Sequence, residues 1–177
     1  MENQKPKMLL HSCCGPCSSA VIMALKDDYD ITVLYYNPNI YPEEEYLHRK
    51  SEQIKLIESV NKEGENIKFL DCEYDPETYE KFVCGLENEK EGGARCTKCF
   101  WLRLEKTAKI AKQKGFDIFA TTLTVSPHKN APLINDIGTK ISNEVGVSYL
   151  VSDFKKKDGY KKSIELSKKY ELYRQKY

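Results

Sequence analysis

The sequence lacks any apolar run that approaches the roughly 18 residues of a membrane-spanning helix. Its N-terminal apolar segment is too short for a signal peptide and leads directly into cysteines. An excess of one charge is also absent, because 28 basic residues nearly cancel 27 acidic residues. We therefore expect a cytoplasmic protein with no membrane partner, and a nucleic-acid partner has to be inferred from local patches of charge.

Internal repeats and low-complexity segments are missing as well. With 177 residues and 40% hydrophobic content, the chain fits a single domain, residues 1–177, with one core. The charge is segregated along the chain, since residues 155–177 contain nine Lys or Arg against three Asp or Glu. We expect this basic C-terminal segment to be helical.

Hydrophobic runs alternate with stretches of helical periodicity. The predicted strands are residues 7–11, 31–36, 67–72, 116–123 and 148–151; the predicted helices are residues 18–26, 43–61, a helix that begins near Asp75 and Pro76, 100–114 and 132–144. The polar segment 87–98 contains Gly92 and Gly93 and is predicted to be a loop. Helices between strands imply crossover connections. The sequence therefore predicts an α/β fold, three-layered and Rossmann-like, with a mostly parallel sheet.

The sequence contains seven cysteines. Because thiols normally stay reduced in the cytoplasm, a disulfide scaffold is disfavoured, and metal binding or redox chemistry is favoured instead. Two Cys-x-x-Cys pairs occur, Cys14/Cys17 and Cys96/Cys99, and Cys13 adds a thiol beside the first pair. Such pairs hold structural zinc or an iron-sulfur cluster, or perform thiol redox chemistry, and spacing alone leaves all three open. Cys72 and Cys84 have no partner at metal spacing, so we expect them to pack as small apolar residues.

The first cysteine group follows the first predicted strand, at the edge where open α/β sheets bind ligands. A nucleotide-binding turn at this place would present backbone N–H groups to phosphate. Pro16 lacks an N–H group, and three thiols line the turn, which disfavours nucleotide binding. Ser18 and Ser19 keep that alternative open.

Several motifs occur together in one order. They are His11-x-Cys13-Cys14-x-Pro16-Cys17, Asn37-Pro38-Asn39-Ile40, Arg95-Cys96-x-x-Cys99, Thr121-Thr122-Leu123 with Ser126-Pro127, and Ser152-Asp153-Phe154-Lys155-Lys156. On these residues the chain resembles the QueH family of non-cobalamin epoxyqueuosine reductases over nearly its whole length. The resemblance implies an oxidoreductase that removes the epoxide oxygen from epoxyqueuosine at the anticodon wobble position of tRNA. The reaction gives queuosine, consumes two electrons and two protons, and releases water. The related fold is the adenine-nucleotide alpha hydrolase-like one.

The resemblance also implies a 4Fe-4S cluster, with ligands at Cys13, Cys14, Cys96 and Cys99. This set differs from the two pairs that spacing suggests and leaves Cys17 without a cluster role. Our hypothesis is that Cys17 helps to bind a second iron or contacts the epoxide, together with a carboxylate such as Asp75 or Asp71.

Family members commonly continue beyond the Tyr-Arg-Gln segment into a tail that contains Cys-Gly-Cys. The present sequence ends at Tyr177. We therefore expect electrons to reach the cluster directly from an external electron donor.

The reaction also needs an acid for the leaving oxygen and a surface for tRNA. His128 follows a predicted strand and is the candidate acid in contact with substrate, whereas His11, inside a strand, is expected to pack. The candidate substrate-binding residues are Tyr35, Asn37, Lys129, Lys156 and Lys161, where lysines neutralise phosphate and a tyrosine ring stacks on a base. For tyrosines in a strand, burial in the core is the competing expectation.

Two other functions remain open from the sequence. One is an ATP-dependent tRNA-modifying enzyme of the same fold, which nucleotide binding would reveal. The other is a zinc-stapled RNA-binding protein without catalysis, which would be colourless where an iron-sulfur protein is brown.

Overall fold

The computed structural model describes residues 5–12, 15–37, 40, 42–72, 76–82, 94–125, 131–151, 165 and 169. For residues 15–17, 82, 94–96 and 125 it describes the backbone only. Most of the predicted basic C-terminal helix lies outside these ranges. Among the described helices, none is both long enough and apolar enough to cross a membrane.

Five strands in the described part of the chain form one sheet, and each of their pairings is parallel. The strands are Lys7–Ser12 (β1), Asp30–Tyr35 (β2), Lys68–Asp71 (β3), Ile118–Thr121 (β4) and Ser148–Tyr149 (β5). Their order across the sheet is β3-β2-β1-β4-β5. The predicted parallel α/β sheet is confirmed.

The described helices alternate with these strands. They are Gly15–Leu25 (α1), Glu43–Lys62 (α2), Pro76–Phe82 (α3), Ala94–Lys114 (α4) and Ala131–Val145 (α5). Pro76 is the first residue of α3, as predicted, because its fixed φ suits a first helical turn and its missing N–H costs nothing there. The predicted N-cap, Asp75, lies outside the described residues.

The side chains of β1 alternate between two apolar layers. Met8 and Leu10 pack with residues of α1 and α2, whereas Leu9 packs with residues of α4 and α5. All three side chains are fully buried, because helices cover both faces of the parallel sheet. Burial of each contributes about 1.5–3 kcal/mol relative to exposure. The three-layer arrangement is therefore confirmed.

The strand order changes direction beside β1. From β1 the chain crosses through α1 to β2 on one side, and later reaches β4 on the other. The C-terminal end of α4 is joined to the start of β4 by residues 115–117 alone, so α4 runs antiparallel to the strands and begins at their carboxyl edge. The helix α1 begins at the same edge, directly after β1. Open sheets of this order bind ligands in the crevice at this switch point.

The start of α4 corrects a prediction. This helix begins at Ala94, so residues 94–98 are helical and the predicted loop over 87–98 is wrong there. Cys99, Phe100, Arg103 and Leu104 are buried at helical spacing, and this packing extends the helix into a polar stretch that has no apolar pattern of its own. The predicted stop at Gly115 is confirmed.

Gly115 ends α4 through its backbone conformation. Its φ of 76° is in the left-handed region that glycine adopts without strain. The amide of Phe116 then donates to the carbonyl oxygen of Ala111 at 2.9 Å, which pairs one of the last carbonyl groups of the helix.

Other boundaries differ by a few residues. The helix α1 begins at Gly15 and not at residue 18. The strand β4 ends at Thr121 because Leu123–Val125 form a short 3-10 turn.

Candidate active site

Two chain segments that carry cysteines meet the carboxyl edge of the sheet. The first leaves β1 at Ser12 and enters α1 at Gly15, and Cys13 and Cys14 stand between them in the sequence. The second is the start of α4, which contains Cys96 and Cys99. Leu9 of β1 and Phe100 of α4 belong to the same buried cluster, so α4 lies against the central strand. The topology therefore brings both cysteine-bearing segments to the β1 and β4 switch point.

Cys99 is the predicted cluster ligand whose side chain is described. It is buried, with 6% of its surface exposed. Cys96 lies three residues earlier in the same helix, so the two backbone positions share one helix face. Cys96 stands in the first turn of α4, where the partial positive charge of a helix N-terminus favours an anionic group. Cys99 stands in the second turn. Two cysteines at this spacing on one helix face are typical ligands of a soft metal centre.

His11 of β1 is hydrogen-bonded to residues at the ends of the two neighbouring strands, β2 and β4. Its Nε2 donates to the carbonyl oxygen of Tyr36 at 2.9 Å, and its Nδ1 lies 3.2 Å from Oγ1 of Thr121. The same Thr121 oxygen accepts a hydrogen bond from the amide of Leu123 at 3.2 Å. The ring is fully buried and both of its nitrogens are engaged. The expected packing role is confirmed: His11 holds the strand ends that flank the cysteine segment.

Ser12 is the centre of a second buried polar group. Its hydroxyl donates to Oε1 of Gln53 in α2, which also accepts from the Ser18 hydroxyl at 2.9 Å. Nδ2 of Asn37 donates to the carbonyl oxygen of Ser12 at 2.8 Å. These bonds fix the residue that precedes Cys13, and they come from α1, α2 and the loop after β2.

Asn37, a predicted substrate-binding residue, is fully buried in this group. Its Oδ1 and Nε2 of Gln53 are buried atoms with no hydrogen-bond partner among the described residues. The described contact of Asn37 supports the cysteine segment. The substrate contact itself stays a prediction.

The prediction that Tyr35 stacks on a base is wrong for this structure. Tyr35 is fully buried, its hydroxyl donates to the carbonyl oxygen of Tyr46 at 2.9 Å, and the two ring centroids are 5.0 Å apart. A ring without an exposed face cannot receive a base. The side chain points into a small core under α2, because the neighbouring ring of Tyr46 offers more apolar contact there than solvent does.

Asp71 and Cys72 stand at the end of β3. Oδ2 of Asp71 accepts from Nζ of Lys50 at 2.7 Å, and 57% of the Asp71 side chain is exposed. Cys72 is half-buried and packs against the cluster that contains Leu9, as expected of a packing cysteine. This strand is two positions away from the switch point in the sheet order.

The other predicted site residues lie outside the described side chains. Cys17 and Cys96 are described by their backbone only, in the first turns of α1 and α4. Cys13, Cys14, Asp75, Cys84, His128, Lys129, Lys156 and Lys161 fall outside the described residues. Their assigned roles stay predictions.

Two buried polar residues at the site were missed by the sequence reasoning. Gln53 occupies an inward position of α2 beside Ile54 and Leu56, and Arg103 occupies an inward position of α4 beside Leu104. Sequence spacing could have indicated Arg103, because it follows Cys99 by about one helical turn and Cys96 by about two and so shares their helix face.

Glu105 on α4 is kept negatively charged by two hydrogen bonds from its own helix. Nε1 of Trp101 donates to Glu105 at 2.8 Å, and Nζ of Lys109 donates to the same carboxylate at 2.9 Å. Burial alone would raise the pKa of the Glu105 carboxyl, but these two hydrogen bonds hold it below its usual value. Glu105 is thereby kept anionic by its own helix and pairs outward, away from the Cys99 face.

Comparison with known proteins gives one consistent result. The family model described as epoxyqueuosine reductase QueH matches residues 8–177. A protein named epoxyqueuosine reductase QueH from Staphylococcus epidermidis is 45% identical over 99% of this chain and 75% of its own length. Proteins of the same name from Streptococcus pyogenes and Thermotoga maritima are 45% and 35% identical, over 99% and 96% of this chain and 69% and 86% of their own lengths.

A solved structure shows a similar fold. It is described as a predicted subunit of tRNA methyltransferase from Methanocaldococcus jannaschii, and the similarity covers 92% of this chain and 76% of that one with a TM-score of 0.52. The two sequences are 20% identical, so this likeness supports the fold alone.

Proposed function

The chain belongs to the epoxyqueuosine reductase QueH family, and from this premise we propose that its reaction takes place in the crevice at the carboxyl edge of β1 and β4. As a member of the family it is an oxidoreductase that reduces epoxyqueuosine in tRNA to queuosine. One epoxide oxygen leaves as water, so two electrons and two protons enter the site in each turnover.

The proposed cofactor is a 4Fe-4S cluster on Cys13, Cys14, Cys96 and Cys99. The observation that supports it is the buried thiol of Cys99 at the start of α4, at the edge where β1 leads into Cys13. Thiolates are the ligands that iron-sulfur clusters require, so the donor set fits. When bound, such a cluster supplies electrons one at a time.

The residues around this crevice have the task of holding it in shape. His11 and Thr121 join β1 to β4, and Asn37 with Gln53 fixes Ser12. Positioning of this kind is valuable because small displacements of reacting groups cost large factors in rate. We propose that His128 delivers a proton to the leaving oxygen.

The tRNA substrate is expected to bind through Lys129, Lys156 and Lys161. Phosphate neutralisation of this kind releases counterions, so affinity should fall steeply as salt rises. Lys156→Glu and Lys161→Glu should weaken tRNA binding without changing cluster absorbance. Lys140→Glu, an exposed charge on α5 that is paired with Asp136, is the matched control. Affinity that does not depend on salt would contradict this assignment.

Cys17 and Asp75 are proposed to hold a second iron or to contact the epoxide. The backbone of Cys17 stands in the first turn of α1, directly after the Cys13 and Cys14 segment. Cys17→Ala should lower the iron content or the activity. Unchanged iron and unchanged turnover would remove Cys17 from the site.

The decisive experiment is an anaerobic assay with tRNA that contains epoxyqueuosine, a chemical reductant in place of the external electron donor, and mass spectrometry of the released nucleosides. Wild-type protein should be brown and form queuosine. Cys99→Ser should lose most of its iron and its activity, whereas Cys72→Ala should keep both, because Cys72 follows β3, two strands away from β1 in the sheet. A colourless protein that contains zinc, or a Cys99→Ser variant with full iron content, would overturn the cluster assignment.

A further inference from the structure

We propose that Arg103 is the buried counter-charge of the cluster and raises its reduction potential. This inference rests on the proposed function, since it assumes that a cluster is bound at Cys96 and Cys99. It assigns a role to a buried arginine that forms no ion pair with the residues the structure describes.

Arg103 is buried to an unusual degree for an arginine, with 4% of its surface exposed. Its Nε donates to the carbonyl oxygen of Cys99 at 3.4 Å, and its guanidinium carbon lies 5.7 Å from the ring centroid of Phe100. Arg103 forms no ion pair with any residue that the structure describes. The contacts described for the guanidinium are therefore neutral groups, the Cys99 carbonyl and the Phe100 ring.

A buried charge without a counter-charge is costly, because the interior does not replace the solvation that water supplied. One long hydrogen bond and one ring face are weak compensation for a guanidinium. The helix dipole adds little, since Arg103 is the tenth of 21 residues in α4 and lies far from either end. An anion beside this arginine would offset that cost.

The geometry indicates where that anion lies. Side chains of a helix tilt toward its N-terminus, and the Nε contact with Cys99 shows that Arg103 follows this rule. Positions 96, 99 and 103 share one helix face. The guanidinium is thus directed at the turn that bears the cysteines. Its burial argues against a tRNA phosphate, which would need an exposed arginine.

A cluster held by four thiolates carries a net negative charge and gains another when it accepts an electron. A fixed positive charge beside it stabilises the reduced form more than the oxidised form. The surrounding charge and hydrogen bonds are known determinants of cluster potential. Arg103 should therefore make the cluster easier to reduce by an external donor.

The test compares three variants of the anaerobically purified protein. Arg103→Met removes the charge and keeps a long apolar side chain, and Arg103→Lys keeps the charge. Lys106→Met is the matched control, because Lys106 is an exposed cation of the same helix, with Nζ 5.7 Å from the Tyr36 ring. Iron content, the urea unfolding midpoint and the midpoint potential from a dye-mediated titration are measured for each.

We expect Arg103→Met to lower the ratio of reduced to oxidised cluster at a given potential by at least about tenfold, which is about 59 mV for one electron. Arg103→Lys should recover most of that shift, and Lys106→Met should stay within a factor of about two of wild type. A folded Arg103→Met protein with a full cluster and an unchanged potential would overturn the proposal.

Loss of the cluster is also informative. If Arg103→Met folds without iron, Arg103→Lys must hold iron for the charge to be the cause, and loss in both variants would show that the guanidinium shape matters instead and would contradict the proposal. If wild-type protein itself binds no cluster, the proposed cofactor fails first. If wild type has the cluster and the Arg103 variants leave its potential unchanged, only the counter-charge fails.

Discussion

Replacing Gly138 by alanine should force helix α5 away from strand β5. A Cβ atom at Gly138 would lie 2.5 Å from Cε2 and Cζ of Tyr149 and 2.7 Å from Cε1. Ordinary carbon contacts are about 3.5–4.0 Å, so ring or helix must move by about 1 Å. The ring has little freedom to do so, because its hydroxyl donates to Asn135 at 2.8 Å and its centroid lies 5.0 Å from that of Phe119.

The expected magnitude follows from three opposing contributions. Overpacking costs about 1–3 kcal/mol, and weakening of the Tyr149 hydrogen bond adds about 0.5–1.5 kcal/mol. Alanine returns about 0.5–1 kcal/mol through its better helix propensity. Gly138→Ala should therefore lower the free energy of unfolding by about 2 kcal/mol, within a range of about 0.5–4 kcal/mol, which is a shift of about 1 M in the urea midpoint.

The assay is urea unfolding followed by circular dichroism, with two companion variants. Thr139→Ala, an exposed neighbour on α5, should change stability by less than about 0.5 kcal/mol. In a Tyr149→Ala background, Gly138→Ala should become neutral or stabilising because the ring is gone. If Gly138→Ala has the same effect with and without the Tyr149 ring, the packing described for α5 and β5 is refuted.

Three further predictions concern Asn61, His11 and the ionisation of Tyr149. Asn61→Ala should lower the free energy of unfolding by about 1–3 kcal/mol in a urea titration, because Asn61 exchanges two hydrogen bonds with the backbone of Ile67 at 2.8 and 2.9 Å. The control Asn66→Ala, at an exposed position, should change it little. The proton of His11 should reside on Nε2 in long-range nitrogen-proton NMR spectra, because that atom donates to a backbone carbonyl, and a proton found on Nδ1 alone would contradict the described hydrogen bond. Burial raises the pKa of the Tyr149 hydroxyl above its usual value near 10, so this group ionises first in the unfolded chain. The contribution of the neutral hydroxyl to the free energy of unfolding should therefore be fully present below about pH 10 and decrease above it. Tyr149→Phe should abolish that decrease in urea midpoints.

Local patterns predicted most of the elements. The apolar run from Met8 to Leu10 is typical of a strand buried on both faces, and the helical spacing within residues 43–61 predicted α2 to within one residue at its C-terminal end. Gly115 predicted the end of α4. These predictions succeed because the buried face of a helix or strand requires apolar residues at a regular spacing, and that spacing can be read from neighbouring residues.

Neighbouring residues with similar chemistry were harder to separate. Tyr35 and Tyr36 follow each other at the end of β2, and the pattern gives no reason to send only one into a core beneath α2. The start of α4 failed for a related reason. Residues 94–98 are polar, and they are helical because the turns after them, from Cys99 onward, pack against the sheet.

The sequence by itself determined the α/β class, the cysteine pairs and the family, because each depends on residues that stand close together or on motifs in linear order. Only the tertiary structure decided that β4 lies beside β1, that His11 meets Thr121 across 110 residues, and that Arg103 is enclosed next to Cys99. A charged residue in a helix is ordinarily solvated, and nothing in its local spacing reveals burial. Whether it is buried depends on which distant segments cover it, and that is settled only when the chain is packed.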